Sequence, residues 1–245
     1  MATNENTFST NPGEVSVGVV GLGLMGSSIV TCLLLAGHSV IGIAPLPVDL
    51  ETALVRIQEH LHHAFEQAIC TEKSEFYLKN LTITEDYQLL KDTQLVVECT
   101  LENLTIKKQV YERIENSVSD QTLITSNTSA IPISLLQKET RLPNRFFGLH
   151  WAEPAHTTPF LEIICGDASD QDKATWLYEL SHHWAKEPTL VRKDIRGFIT
   201  NRLMYALYRE AFYLVENGYA SIEDVDRACR NNGGYWMTLV GCFRW

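Results

Sequence analysis

The sequence predicts an α/β fold, a doubly wound parallel sheet followed by a small all-helical C-terminal domain. Three observations carry this. Short β-rich runs alternate with helical patterns, which is how a parallel sheet covered by helices on both faces reads. Three glycines after the first run have the spacing of a phosphate-binding turn. Beyond the segment VRKDIRGFITNR the character changes to helical periodicity alone.

Taken in order, residues 1–13 are polar, with neither a basic n-region nor an apolar h-region, and read as a disordered lead-in and not a signal peptide. The strand candidates are VSVGVV (15–20), SVIGIA (39–44), QLVVEC (94–99), TLITS (122–126), RFFGLHW (145–151) and FLEIIC (160–165). Between the second and third lies a helical stretch from near Val48, too long for a simple crossover, so a helical excursion is expected there. Residues 198–217 read as one long helix, and Ser221 offers an N-cap with Asp224 three residues on. The expected division is a tail at 1–13, a dinucleotide-binding domain at 14–192 and a helical substrate and dimerisation domain at 193–245. The last reads as incomplete, since the chain ends inside an apolar, aromatic-rich run.

Composition narrows the function. Of 245 residues, 45% are hydrophobic, and 30 acidic against 20 basic side chains give a net charge of −10. That charge repels nucleic acid and anionic membranes, and no local basic patch overrides it. No apolar run approaches the roughly 20 residues of a membrane span. The cysteines are scattered without a Cys-x-x-Cys pair, which favours free thiols in a reducing compartment and a cytoplasmic protein. His60, His62 and His63, like His182 and His183, have no cysteine or carboxylate at matching spacing; they read as solvated helix faces, and no metal is expected.

Gly21-x-Gly23-x-x-Gly26 follows a strand and opens a helix. In that context, a Rossmann-type one, the first glycine permits the tight turn, the second lets a pyrophosphate approach the backbone, and the third lets helix and strand pack closely. The acidic residue expected about 20 residues on, to grip the adenosine ribose, is replaced by Ala44 and Pro45. No arginine adjoins them to receive a 2′-phosphate, the first being Arg56. Both NAD and NADP therefore stay open, with Asp49 as another contact for the ribose.

His150 ends one strand candidate and Glu162 follows on the next. An imidazole held by a carboxylate can act as a general base toward an alcohol, because the carboxylate fixes the tautomer and stabilises the imidazolium. With GVVGLGLMGSSI, LVVECTLENLTIKK, LITSNTSAIPI, RFFGLHWAEP, LEIICG and GFITNRLMYALYREAFYLVENGYASIEDVDRA, the chain resembles the 3-hydroxyacyl-CoA dehydrogenase family from about residue 15 to about 232. The resemblance implies a two-domain enzyme that binds NAD and oxidises an L-3-hydroxyacyl thioester to the 3-keto product, usually as a homodimer. It assigns His150 as general acid/base, Glu162 as its orienting carboxylate, Ser129 as donor to the substrate oxygen and Asn201 as the supporting amide. It gives the cofactor Gly21, Gly23, Leu24, Met25, Gly26 and Asn127, with Glu102 and Lys107 at the nicotinamide end.

Departures from the family pattern leave alternatives. The family commonly has asparagine where this chain has Glu153, whose carboxylate points either toward His150 or to the surface. Residues 48–80 carry Arg56, Lys73 and Lys79 against Asp49, Glu51, Glu59, Glu66, Glu72 and Glu75, a poor surface for the phosphates of CoA. A free 3-hydroxy acid or another thioester is then as good a small-molecule substrate as a CoA ester. A cationic substrate follows if Glu153 and Trp151 share the pocket. The contrasting function is a non-catalytic nucleotide- or acyl-ligand-binding relative.

Overall fold

The computed structural model describes residues 9–244. Among these, one sheet contains β1 (Ser16–Val20), β2 (Ser39–Ile43), β3 (Leu81–Thr84), β4 (Leu95–Glu98), β5 (Leu123–Ser126), β6 (Phe146–Trp151), β7 (Phe160–Cys165) and β8 (Glu187–Val191). Their order is β3-β2-β1-β4-β5-β6-β7-β8. Neighbours run parallel except β6 and β7, which are antiparallel. The central β1 and β4 are near-continuous apolar runs because helices cover both their faces. The strand order reverses between β1 and β4, which opens a crevice beyond their carboxyl ends, the usual place for a ligand in such a sheet.

The six strand candidates correspond to β1, β2, β4, β5, β6 and β7. Two edge strands, β3 and β8, were not among them. LTIT and EPTLV are short and half-exposed, and Pro188 is tolerated in β8 because an edge position can forgo one ladder donor.

The sheet is flanked by α1 (Leu24–Leu35), α2 (Pro47–Glu66), α3 (Ser74–Leu78), α4 (Leu104–Glu115), α5 (Ile133–Gln137) and α6 (Gln171–Ser181). The expected excursion is α2 with α3. Helix α2 buries Ala53, Ile57, Leu61 and Ala64, a stripe at helical spacing, and leaves its other face to solvent. Asn103 starts α4 by accepting from the Ile106 N–H at 3.1 Å. One apolar core joins α1, α2 and α6 to one face of the sheet, and a second joins α4 and α5 to the other.

Residues 9–13 are not the disordered lead-in expected of them. Asn11 caps a 3₁₀ turn at Pro12–Glu14, and Trp176 Nε1 donates to the Ser9 carbonyl at 3.0 Å, so residues 9–13 are tied to the domain. Residues 1–8 lie outside the described residues.

The chain divides into two units after Phe198, a few residues beyond the expected boundary. The second contains α7 (Thr200–Glu216), α8 (Ile222–Ala228) and α9 (Gly234–Val240). Ser221 caps α8 through the Asp224 N–H at 3.1 Å, as its spacing predicts. Among the described residues, no helix is long and apolar enough to cross a membrane.

The expectation of a solvated histidine face on α2 is corrected in part. His62 and His63 are exposed, and His62 pairs with Glu66 at 3.1 Å, but the half-buried His60 packs, together with the edge of His63, on the buried His156 from the segment after β6. The His60 and His156 ring centroids are 5.1 Å apart, and His63 Nδ1 is 3.3 Å from His156 Nε2. Burial, helped by the charges of His60, His63 and Lys186, lowers the His156 pKa to about 4. Burial also lowers that of His38, whose nitrogens are taken by the Val15 carbonyl and Trp184 Nε1. Unfolded histidine titrates near pH 6.5, so below that pH the unfolded chain binds protons the folded chain refuses. Stability is then expected to fall as pH drops from about 6.5 toward 4, and not to change from this source above pH 7. Thermal midpoints across that range check this; His156→Gln should flatten the slope, and an unaltered slope would contradict the assignment.

Candidate active site

The glycine turn fits a pyrophosphate. Gly21 has φ +93°, and a Cβ there would lie 2.9 Å from the Cys99 carbonyl oxygen. Gly23 is the N-cap of α1, without a side-chain cap, and has open space where a side chain would stand. Leu24 is exposed and Met25 half-buried in the first turn of that helix. The helix N-terminus offers backbone donors and a partial positive charge to an anion. At Gly26 a Cβ would fall 1.8 Å from the Gly21 carbonyl oxygen, so α1 rests directly on the turn. Gly26→Ala is expected to push the helix off the turn and abolish dinucleotide binding in a titration; wild-type affinity in that variant would refute the packing argument. The ribose end differs. Ala44 is fully buried at the end of β2 and supplies no carboxylate, and Asp49 is engaged by Arg56 at 3.3 Å.

Beside this turn lies a buried polar network whose centre, Glu98, sequence reasoning missed. Its Oε2 accepts from Ser126 Oγ at 2.7 Å, Lys107 Nζ at 2.9 Å and Tyr111 Oη at 3.0 Å. Its Oε1 accepts from the Thr100 N–H at 2.6 Å and hydroxyl at 2.5 Å. The available signal was a carboxylate ending the apolar run LVVE on a central strand, where an unpaired charge would be prohibitive. Lys107, expected at the nicotinamide end, is 1% exposed and enclosed by these acceptors. Its ammonium also lies 3.6 Å from Glu102. It therefore works through the carboxylates and does not face the crevice.

Glu102 organises the loop after β5. Its Oε1 accepts from Thr128 Oγ1 at 2.5 Å, the Ser129 N–H at 3.0 Å and the Ala130 N–H at 3.2 Å. This holds Ser129, which is exposed, beyond the carboxyl end of β5. Asn127 spans the splay between strands: its N–H donates to the Glu98 carbonyl at 2.8 Å and its Oδ1 accepts from the Trp151 N–H at 3.0 Å.

His150 and Glu162 face each other across the antiparallel β6–β7 pair. His150 Nδ1 lies 2.9 Å from Glu162 Oε2, with both side chains buried. A carboxylate acceptor there puts the ring proton on Nδ1 and leaves Nε2 as the proton-exchanging nitrogen. Phe160 stands edge-on to the imidazole at 5.3 Å and Phe198 packs at 5.6 Å; these apolar walls were also missed. Asn201 lies in the first turn of α7, in the second unit.

The cationic-substrate expectation is overturned. Trp151 points to the opposite face of β6 from His150, stacks on Trp184 at 5.3 Å and has Lys186 Nζ 5.2 Å from its ring. A buried ring already facing an ammonium cannot form a cage for another. Of the two expected places for Glu153 the structure takes the surface: the residue is exposed, next to Ser28 on α1 and His60, and partial desolvation raises its pKa.

Residues 16–195 match the family model for the 3-hydroxyacyl-CoA dehydrogenase NAD binding domain, and residues 197–244 that for the C-terminal domain. The chain belongs to the 3-hydroxyacyl-CoA dehydrogenase family. It is an NAD-dependent oxidoreductase on that membership, and the glycine cradle fits the cofactor's pyrophosphate. Among similar proteins is 5-formyl-3-hydroxy-2-methylpyridine 4-carboxylate 5-dehydrogenase of Mesorhizobium japonicum, 31% identical over 229 residues, 92% of this chain and 73% of the relative. The mitochondrial hydroxyacyl-coenzyme A dehydrogenase of Homo sapiens is 32% identical over 228 residues, 90% of this chain and 72% of that one. The crystal structure of Mycobacterium tuberculosis FadB2 superposes with TM-score 0.83 at 32% identity, covering 89% of this chain and 78% of that one. Family enzymes thus share this chain's fold.

Proposed function

We propose that the chain oxidises the 3-hydroxyl of an L-3-hydroxyacyl group to the 3-ketone, with CoA as the acyl carrier. The observation that carries this is the buried His150–Glu162 pair at 2.9 Å. His150 Nε2 takes the hydroxyl proton, and Glu162 stabilises the imidazolium so formed. Ser129 hydrogen-bonds the substrate oxygen, and Phe160 and Phe198 keep water from the imidazole. Bound at the glycine turn, NAD would supply the acceptor for the hydride that leaves the hydroxyl-bearing carbon. Glu98, Lys107 and Glu102 hold the loops that bear these groups.

A second reading, a free 3-hydroxy acid, is favoured by the surface of α2 and α3. Glu51, Glu59, Glu66, Glu72 and Glu75 are exposed there against Lys73 and Lys79, while Arg56 is engaged internally. A relative named for a pyridine carboxylate accords with it. Initial rates with (S)-3-hydroxybutyryl-CoA, its (R) enantiomer and free (S)-3-hydroxybutyrate test both readings. The first requires the (S)-thioester to be the best substrate, the second the free acid; equal use of both enantiomers would contradict each.

The chain pairs with a second copy through its helical unit. Tyr205, Phe212, Tyr219, Ile222 and Leu239 are each at least 60% exposed, and these apolar side chains are the material for such a pairing. Sedimentation should give twice the chain mass; a monomer at micromolar concentration would count against the pairing.

A further inference from the structure

We propose that Arg56 is a positioning residue of the cofactor seat: from α2 it fixes the Leu22–Gly23 peptide so that its N–H faces the phosphate side of the turn. The inference rests on NAD binding at the glycine turn and concerns what holds that turn in shape.

Arg56 lies on α2 next to the buried Ile57 and is itself half-buried. Its Nη2 donates to the Leu22 carbonyl at 2.6 Å, within the range of a charge-assisted hydrogen bond. Its Nε donates to Ser27 Oγ at 3.3 Å, and Ser27 Oγ itself donates to the same Leu22 carbonyl at 2.9 Å. One helical turn earlier Thr52 Oγ1 accepts from Nη1 at 2.8 Å, and two turns earlier Asp49 Oδ1 lies 3.3 Å from Nη2. The guanidinium is therefore held by its own helix and spends its remaining donors on the glycine turn and on Ser27 in α1.

The direction of the Gly23 N–H follows. The Leu22–Gly23 bond is trans, since Glu153–Pro154 is the cis peptide among the described residues. In a planar trans peptide the C=O and N–H point in opposite directions. Drawing the Leu22 oxygen toward α2 aims the Gly23 N–H away from α2, at a residue with open space around its Cα. The Leu22 side chain is fixed independently: a Cβ added at Gly42 on β2 would lie 3.1 Å from it. The peptide thus cannot turn without breaking two hydrogen bonds and lifting a buried leucine. The device matters in this chain because Ala44 gives the ribose no carboxylate, so the phosphate contacts carry a larger share of cofactor affinity. In a chain of net charge −10, the guanidinium also places a positive charge behind the phosphate seat.

The test compares wild type, Arg56→Ala and Arg56→Lys in titrations with NADH, ADP and adenosine, with circular dichroism and thermal midpoints to establish the fold. Arg56→Ala is expected to weaken NADH and ADP by about tenfold or more, while adenosine, which lacks the diphosphate, changes less than about twofold. Arg56→Lys should recover part of the loss, since one ammonium can reach the Leu22 carbonyl but not match the fork. If the alanine variant does not fold, the lysine variant decides, by loss of ADP affinity with adenosine affinity kept. ADP binding as in wild type would overturn the proposal, as would equal losses for ADP and adenosine, which would assign Arg56 to the nucleoside. A wild-type protein that binds neither NADH nor ADP would overturn the cofactor reading as well.

Discussion

His150→Gln is expected to lower kcat by about 10²- to 10⁴-fold, the range a positioned general base contributes, while the protein stays folded and binds NADH as wild type does. Glutamine approximates the imidazole in size and keeps a polar group opposite Glu162, so the buried carboxylate is not left facing hydrocarbon. What is lost is a group that can both take and return a proton. Glu162→Gln isolates the other half of the pair. The imidazole then loses the acceptor that fixes Nδ1–H and the charge that stabilises its protonated form, and a smaller loss in kcat is expected. Because the two act as one unit, the double variant should be little worse than His150→Gln alone. Stopped-flow hydride transfer measures these losses without interference from product release; near-wild-type turnover in His150→Gln would remove the imidazole from the mechanism.

The largest expected stability effect is at Lys107→Met. Among the described residues, Lys107 is the cation that offsets the charge of Glu98 at close range, and Glu98 is fully buried. Removing one partner of a buried ion pair costs about 3–5 kcal/mol, because the remaining charge stays desolvated. For a chain of this size that corresponds to a fall in thermal midpoint on the order of 10 °C. Glu98 retains donors from Thr100, Ser126 and Tyr111, which soften the loss without cancelling it. Adding Glu98→Gln to Lys107→Met should restore much of the stability, since an amide needs no counter-ion; additive losses in the double variant would show that the pair is not coupled. Activity should fall with stability lost locally, because the same network anchors the loops carrying Thr100, Glu102 and Ser129.

Much of this was legible in the chain. Central strands announce themselves as apolar runs, and three glycines between a strand and a helix leave few other readings. The edge strands β3 and β8 were hidden by shortness and by Pro188. His150 and Glu162 stand out at the ends of adjacent strand candidates and take their roles from the family resemblance, yet the cross-strand register is what makes twelve residues of separation a 2.9 Å contact. The period-2 alternation of a strand already placed His150 and Trp151 on opposite faces, so the cationic cage contradicted a rule visible in the sequence. Contacts formed between distant segments were not legible. Arg56 and Leu22 meet only because α2 packs beside α1, and His60 and His63 find His156 only once the segment after β6 folds against α2.

The most direct test of the account is one cuvette in which NADH is titrated onto the protein and acetoacetyl-CoA, then free acetoacetate, are added. The account predicts saturable NADH binding followed by oxidation of the NADH on adding one of the two 3-keto compounds, and loss of that oxidation in His150→Gln. NADH that binds and stays reduced with both compounds would contradict it.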